Sequence, residues 1–306
     1  MDENKSWIQI KVKCASRDID TVSSVMSMVD NGLMIEDYSD FSLNGMYGEL
    51  VDESILNADR EAIRVSLFVP EERNPLEYRE FLQTRLPALG IEGEISLEGM
   101  NEDDWAESWK QYYKPVPLGK VTIVPAWEKY EAKEGEILVR MDPGMAFGTG
   151  SHETTRGIIQ MLENCITDGC TVLDVGCGSG ILAICAAKYG AGLCRAYDID
   201  PIAVEVAAEN AIENGCEIEC AESDLLAGVK AEQYDVICAN IVADIIIRMA
   251  PDVGRFMKDT STLLASGIIT ERAEEVTDAI EAAGLYIVES IEDNGWCALA
   301  VKKLIK

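Results

Sequence analysis

The stretch TVLDVGCGSGIL, residues 171–182, constrains the fold of this chain more than any other stretch. Apolar residues lead into Asp174, and Gly176, Gly178 and Gly180 follow before another apolar run with helical spacing. Glycines allow a tight turn and let a ligand approach the backbone closely. A strand that turns on glycines straight into a helix is typical of doubly wound α/β sheets, which bind ligands at the carboxyl ends of their strands.

The residues after this turn continue the alternation of strands and helices. Helix patterns lie between most of the strand patterns, which begin at Leu193, Glu217, Tyr234 and Ser261. The end of the chain differs, because LYIVESIED and WCALAVKK are separated only by an Asn-Gly turn, the signal of an antiparallel hairpin. We therefore predict a doubly wound, mainly parallel sheet with one antiparallel edge strand.

The first hundred residues predict a smaller domain of another type. Their pattern is βαββαβ, the order of a ferredoxin-like α+β unit, with strands at 7–14, 33–40, 62–70 and 92–100 and helices at 18–32 and 74–90. The next stretch has a helix pattern that Pro115 and Pro117 must end. We predict three parts: a ferredoxin-like domain at 1–100, a linker helix with a proline-containing arm at 101–120, and the larger α/β domain at 121–306.

The charge of the chain limits its partners. It carries 26 basic and 55 acidic residues, a net charge of −29. Such a surface repels phosphate backbones, so we expect no direct binding to nucleic acid, whereas a basic protein would be attracted. The alternative interpretation is that the charge only confers solubility. The charge also favours a monomer.

The chain has the features of a cytoplasmic protein. No apolar run approaches the roughly 18 to 20 residues that span a bilayer, so we expect no membrane partner. The start MDENKSWIQIKVKC lacks the apolar core of a signal peptide. The ten cysteines are scattered and form no C-x-x-C pair, which favours buried, reduced thiols.

The glycine turn and the residues that follow it predict a small-molecule site. A dinucleotide fingerprint needs glycine at position 181, where this chain has Ile181, and an acid before the first glycine suits a positively charged ligand. In sheets of this kind an acid at the end of the second strand, here Asp198, accepts hydrogen bonds from ribose hydroxyls. Asp224 after the third strand is a candidate for the adenine amine, and Asn240 ends the fourth strand.

Taken together, these residues resemble the class I methyltransferases that use S-adenosylmethionine. The resemblance narrows further, since DPGMAFGTGSHETT, VLDVGCGSGILAI, DIDPIAVE, NAIENG and ANIVADII are similar to the bacterial lysine methyltransferases that modify protein eleven of the large ribosomal subunit. It implies a seven-stranded sheet with an antiparallel last strand and a small substrate-recognition domain in front of it. It also implies S-adenosylmethionine as the cofactor, with no metal and with no side chain assigned as a catalytic acid or base.

The resemblance assigns roles to individual residues. It makes the stretch 142–155 a lid over the cofactor, entering a helix for which Ser151 is a plausible N-cap. His152 lacks the partners of a zinc site, and a structural or substrate-lining role is favoured over that of a general base. The expected cofactor contacts, together with those predicted above, are Phe147, Thr155, Asp174, Gly176, Gly178, Asp198, Asp224 and Asn240.

The residues after the fourth strand bear on the substrate. Methyltransferases that act on nucleobases or glutamine resemble [N/D]-P-P-[Y/F] at this point, whereas this chain has NIVA, which agrees with a lysine-type amine. The amino terminus of the ribosomal protein is a second candidate amine. Three alternatives stay open at this point: another protein or small amine as acceptor, a nicotinamide-dependent dehydrogenase, and a non-catalytic module that binds S-adenosylmethionine.

Overall fold

The computed structural model describes most of the chain, and two compact units divide it. The described residues are 7–27, 29, 33–37, 62–70, 75–98, 114–141, 150 and 152–304. The first unit is Met1–Tyr112 and the second is Tyr113–Lys306. Residues 101–113 of the predicted linker helix and arm (101–120) lie outside the described residues, so the bounds of the three predicted parts stay predictions.

The first unit has the predicted ferredoxin-like arrangement. Its elements are β1 (Trp7–Ala15), a 3₁₀ turn (Ser16–Asp18), α1 (Ile19–Ser27), β2 (Leu33–Glu36), β3 (Ala62–Pro70), α2 (Pro75–Ala88) and β4 (Glu94–Glu98). The four strands are antiparallel in the order β2-β3-β1-β4. Every second residue of β1 is buried, including Ile8, Ile10 and Val12, so one face of the sheet carries the core of this unit.

The second unit begins with a small sheet that the sequence patterns did not reveal. It contains β5 (Val116–Leu118), β6 (Val121–Pro125) and β7 (Ile137–Met141). β6 pairs antiparallel with β5 and parallel with β7. The three residues of β5 belong to the stretch that we predicted to be an arm. Strands of three to five residues carry too little alternation to stand out from a proline-containing arm.

The rest of the second unit alternates strands and helices. In chain order it has α3 (Glu153–Cys165), β8 (Thr171–Val175), α4 (Ile181–Tyr189), β9 (Leu193–Asp198), α5 (Pro201–Glu213), β10 (Ile218–Glu222), β11 (Tyr234–Asn240), α6 (Ala243–Val253), β12 (Met257–Ile269), a 3₁₀ turn (Thr270–Arg272), α7 (Ala273–Ala282), β13 (Leu285–Asp293) and β14 (Trp296–Lys303). The seven strands β8–β14 form one sheet, as predicted.

The order of this sheet is β10-β9-β8-β11-β12-β14-β13, and only β14 runs against its neighbours. The last strand is antiparallel as predicted, but its predicted position at the edge is wrong. The burial pattern gives the reason. Six successive residues of β14, Trp296–Val301, are buried, so this strand needs neighbours and cover on both sides, whereas β13 alternates and tolerates the edge.

Two hydrophobic clusters cover the two faces of the seven-stranded sheet. Successive residues of β8 point to opposite faces, so that Val172 joins one cluster and Leu173 the other. Neither face is left to a polar layer, which fixes the register of the parallel strands and the place where they end. All ten cysteines are free thiols, as predicted, and seven are buried, whereas Cys165, Cys216 and Cys220 are only partly buried. None of the helices in the described part of the chain has the length and hydropathy needed to cross a membrane.

Candidate cofactor site

The glycine turn joins the end of β8 to the start of α4. Gly176, Gly178 and Gly180 all have positive φ, at +70°, +52° and +76°. A side chain at Gly176 would overlap Ile241, and one at Gly180 would lie 2.9 Å from the Cβ of Ala207. Both the backbone conformation and the close neighbours therefore require glycine at these two positions.

The carboxylate of Asp198 is part of this turn. Asp198 ends β9 and is 4% exposed. Its Oδ2 accepts a hydrogen bond from the N–H of Gly178 at 2.9 Å, and its Oδ1 accepts one from the N–H of Asp200 at 3.1 Å. The structure thus brings together the glycine turn and the acid that the sequence predicts for a ribose.

Asp174 lies beneath the turn and is fully buried. Its Oδ2 accepts a hydrogen bond from the N–H of Ala183 at 3.1 Å, while its buried Oδ1 accepts none from the described residues. Burial raises the pKa of Asp174 to about 7, the hydrogen bond from Ala183 opposes this rise, and the charge of Asp198 adds to it. A positively charged ligand near Oδ1 would favour the ionised carboxylate.

A second pair of predicted residues meets where β11 ends. Asn240 is the last residue of β11, and its Nδ2 donates to the Oγ1 of Thr155 at 3.2 Å. Thr155 is fully buried in the first turn of α3. This hydrogen bond fixes the orientation of the amide, so Oδ1 of Asn240 faces away from Thr155. That oxygen is buried and accepts no hydrogen bond from the described residues.

The cap of α3 differs from the prediction. The N-cap is His152, whose Nδ1 accepts a hydrogen bond from the N–H of Thr154 at 3.3 Å, so the assignment of this role to Ser151 is wrong. The imidazole also packs edge-on against Trp296, with ring centroids 5.0 Å apart. The signal was ambiguous, because serine is a far commoner N-cap than histidine and the two are adjacent here. His152 has the structural position that the sequence favoured for it.

Two more contacts tie the start of α3 to the hairpin between β13 and β14. Arg156 forms an ion pair with Asp293 at 2.5 Å. Nδ2 of Asn294 donates to the Glu153 carboxylate at 3.2 Å. The helix that carries Thr155 is therefore fixed at its first turn.

Asp224 has a different environment from the other predicted residues. Its side chain is 56% exposed and forms an ion pair with Arg248 of α6 at 2.5 Å. No hydrogen bond given by the described residues joins it to Asp198 or to the glycine turn. Its predicted contact with adenine stays a prediction.

Some of the predicted site lies elsewhere. Phe147 and the glycines at 144 and 148 lie outside the described residues, so their roles also stay predictions. Within the described ranges no group of three or more His, Cys, Asp and Glu side chains is arranged to hold a metal ion.

Two contributors to the site were missed in the sequence. Asp200 caps α5 by accepting from the N–H of Ile202 at 2.9 Å, while its backbone N–H donates to Asp198. Asn210 donates to the carbonyl of Ser179 within the glycine turn at 2.9 Å. Asp200 lies in DIDPIAVE and Asn210 in NAIENG, two of the stretches that resemble the family. Their presence in these stretches was the signal that the sequence offered.

Comparison with known proteins agrees with this geometry. The family model described as "Ribosomal protein L11 methyltransferase (PrmA)" matches residues 6–304. Relatives named ribosomal protein L11 methyltransferase include those of Caldicellulosiruptor bescii, 41% identical over 98% of this chain and 99% of the relative, and Acetivibrio thermocellus, 37% identical over 97% and 98%.

A solved structure gives the same result for part of the chain. The crystal structure of a ribosomal protein L11 methylase from Lactobacillus delbrueckii subsp. bulgaricus is 34% identical in sequence. It superposes with a TM-score of 0.60 and covers 62% of this chain and 100% of its own. The site therefore lies in a methyltransferase that uses S-adenosylmethionine, and the chain belongs to the ribosomal protein L11 methyltransferase family.

Proposed function

We propose that this enzyme transfers methyl groups from S-adenosylmethionine to lysine amines of ribosomal protein L11, with the amino terminus of L11 as a second class of acceptor. One observation carries the proposal. In a chain that matches the family from residue 6 to 304, the carboxylate of Asp198 is hydrogen-bonded to the glycine turn at the carboxyl end of the parallel strands. This is the place where doubly wound sheets bind adenosyl ligands.

The side chains at this place fit a positively charged adenosyl ligand. The buried Oδ1 atoms of Asp174 and Asn240 are acceptors to which the described residues supply no donor. Buried acceptors of this kind are normally paired. The positive charge and N–H groups of the cofactor would pair Oδ1 of Asp174, and the amine that receives the methyl group would pair Oδ1 of Asn240. We propose that Asp198 holds the ribose, and that Asp174, Gly176 and Gly178 lie against the methionine part. Thr155, Asn240, Phe147 and Asp224 complete the proposed set of contacts.

The proposed chemistry needs alignment more than acid–base groups. The cofactor supplies a methyl group on a sulfonium, a good leaving group. A lysine amine has a reference pKa of about 10.4 and must be neutral to attack, so the site has to favour the uncharged amine by partial desolvation or by passing the proton to water. We propose that Oδ1 or the backbone carbonyl of Asn240 accepts a hydrogen bond from that amine and directs its lone pair. Alignment of this kind supplies effective molarities of about 10⁵ M or more.

The residues around Asn240 support an amine on a flexible side chain. Thr155 orients the Asn240 amide, and Ile241 and Val242 follow where a flat amide or base would need prolines and an aromatic ring. Ile241 packs against Gly176, which couples the end of β11 to the glycine turn. We propose that the substrate amine approaches the site between the end of β11 and the glycine turn.

The charge of −29 supports a basic protein as substrate. Electrostatic attraction speeds encounter and weakens as salt rises. We propose that the ferredoxin-like unit recognises L11 and that the enzyme acts as a cytoplasmic monomer, without binding nucleic acid or membranes directly. Family membership leaves no support for the dehydrogenase alternative.

The test is mass spectrometry of purified L11 before and after incubation with enzyme and S-adenosylmethionine. We expect mass gains in steps of one methyl group, and peptide mapping to place them on lysines and the amino terminus. The Asp198→Ala variant serves as the control and should give little or no gain. The proposal would be overturned if the folded enzyme left L11 unchanged, or if calorimetry showed that it ignores both S-adenosylmethionine and S-adenosylhomocysteine.

A further inference from the structure

Two asparagines at the end of α5 connect separate parts of the second unit. Asn210 and Asn214 are four residues apart, so their side chains lie on the same side of the helix, and both are buried. Buried amides are costly unless they are hydrogen-bonded, so their partners indicate what they are for. Both belong to the NAIENG stretch.

Asn210 is a second side chain that holds the glycine turn, in addition to Asp198. Its Nδ2 donates to the carbonyl of Ser179 at 2.9 Å. Ser179 lies between Gly178, whose N–H donates to Asp198, and Gly180, where α4 begins. Two adjacent residues of the turn are thus held: the carboxylate of Asp198 accepts from Gly178, and the amide of Asn210 donates to Ser179.

Asn214 supports Asn210 and holds β7. Its Oδ1 accepts from the N–H of Arg140 at 2.7 Å, and its Nδ2 donates to the Arg140 carbonyl at 2.7 Å and to the Asn210 carbonyl at 2.8 Å. A side-chain amide has the donor and acceptor of a peptide group, so Asn214 acts as a short strand partner for β7. The end of α5 therefore cannot move without breaking this pair.

The beginning of α5 is bound to the site as well. The N–H of Asp200, its N-cap residue, donates to the Asp198 carboxylate at 3.1 Å. The helix is therefore attached to the ribose carboxylate at its first turn and to the glycine turn through Asn210 near its last. The same helix therefore holds both partners of the Gly178–Asp198 hydrogen bond.

We propose that Asn210 is a positioning residue for the adenosyl cofactor, acting through Ser179, and that Asn214 keeps it in place. This inference rests on the proposed function of the glycine turn as the cofactor site. Loss of Asn210 removes one of the hydrogen bonds that hold the turn, while Asp198 still holds Gly178. We therefore expect a partial loss of cofactor affinity, about tenfold.

The experiment measures S-adenosylhomocysteine binding by calorimetry and initial methylation rates of L11, both with the full chain. In Asn210→Ala we expect the Kd and the KM for S-adenosylmethionine to rise about tenfold, or about 1.4 kcal/mol. The kcat at saturating cofactor and the KM for L11 should stay within about twofold, a split that general destabilisation would not produce.

Asn210→Asp should bind S-adenosylhomocysteine more weakly still, since its carboxylate faces the Ser179 carbonyl. Asn214→Ala should weaken binding about threefold, and it carries the test if the Asn210 variants do not fold.

Val206→Ala is the matched control. Val206 is buried in the same helix and its side chain has no polar atom, so its loss destabilises α5 without removing a hydrogen bond. We expect a lower Tm with Kd within about twofold of the unaltered enzyme. The inference is overturned if Val206→Ala raises the Kd for S-adenosylhomocysteine as much as Asn210→Ala does. It is also overturned if folded Asn210→Ala has a Kd within twofold of that of the unaltered enzyme. Failure of the proposed function is distinguishable, because the unaltered enzyme would then bind no S-adenosylhomocysteine or would leave L11 unmethylated.

Discussion

The carboxyl ends of two neighbouring strands, β9 and β10, carry acids in very different environments. Asp198 at the end of β9 is 4% exposed and accepts two backbone hydrogen bonds. Asp224, two residues after β10, has a 56% exposed side chain that pairs with Arg248. The sequence shows an acid after a strand in both places. A carboxylate whose burial is sustained by backbone donors has a fixed position, whereas an exposed ion pair contributes little and can rearrange.

The difference follows from the neighbours of each strand. β9 is flanked by β8 and β10, and the glycine turn closes over its end. β10 is one of the two edge strands of the sheet, and the chain leaves it through Ser223 into turns that run beside α6. We infer that Asp198 determines cofactor affinity and that Asp224 at most adjusts it.

Asp198→Ala should have the largest effect. It removes the proposed ribose contact and leaves the N–H groups of Gly178 and Asp200 without their acceptor, and hydrogen bonds to charged groups contribute about 1.5–3 kcal/mol each. We expect S-adenosylhomocysteine affinity to fall by about 100-fold or more in calorimetry. Near-normal affinity in a folded variant would contradict the importance given to the end of β9.

Asp174→Asn tests the charge beneath the glycine turn. The pKa of Asp174 in the folded state, about 7, exceeds its ordinary value of 3.8, so between these pH values the folded state retains a proton that the unfolded state has lost. The contribution of Asp174 to the free energy of unfolding is therefore greatest below pH 3.8, falls as the pH rises from 3.8 to about 7, and stays low above about 7. Each pKa unit corresponds to about 1.4 kcal/mol, so the cost is on the order of a few kcal/mol.

The amide keeps the acceptor for Ala183 and carries no charge. We therefore expect Asp174→Asn to raise the Tm of the ligand-free enzyme at pH 8 more than at pH 5, and to weaken cofactor binding about 30-fold. Thermal unfolding across this pH range and calorimetry at pH 8 measure the two effects. A Tm lower than that of the unaltered enzyme at pH 8 would show that the buried carboxylate of Asp174 does not destabilise the folded enzyme.

The sequence predicted the end of β9 better than its surroundings for a physical reason. A strand, three glycines and an acid at the next strand end are local patterns, and parallel strands must end at one edge, so Asp174, Gly178 and Asp198 had to come close together. The partner of Asp224 is Arg248, 24 residues later on α6, and no local pattern links the two.

Contacts between residues far apart in the chain also determine the position of the hairpin and the cap of α3. The Asn-Gly turn predicted the pairing of β13 with β14, but the choice of which strand faces β12 depends on burial on both sides. The cap of α3 depended on a contact with Trp296, which lies 144 residues after His152. Long-range packing thus decided between two local solutions of similar quality in each case.

Thr155→Val tests the end of β11, where polar side chains are buried as at β9. Valine has nearly the shape of threonine but removes the acceptor for Nδ2 of Asn240. The amide is then free to turn its oxygen away from the incoming amine. We expect kcat to fall about tenfold with a smaller rise in the KM for S-adenosylmethionine. Thr154→Val is the control: it removes a buried hydroxyl of the same helix turn whose partner is Nδ1 of His152, at 3.0 Å, instead of Asn240, and it should keep kcat within about twofold.

Asp224→Ala should have the smallest effect and gives the sharpest contrast with Asp198→Ala. Exposed ion pairs contribute about 0–1 kcal/mol, so loss of the pair with Arg248 should leave the unfolding free energy nearly unchanged. We expect cofactor affinity to weaken by no more than about threefold, because a single exposed contact to the adenine amine competes with water. A loss of 30-fold or more in calorimetry would show that Asp224 leaves Arg248 to bind the adenine, and that the end of β10 also determines cofactor affinity.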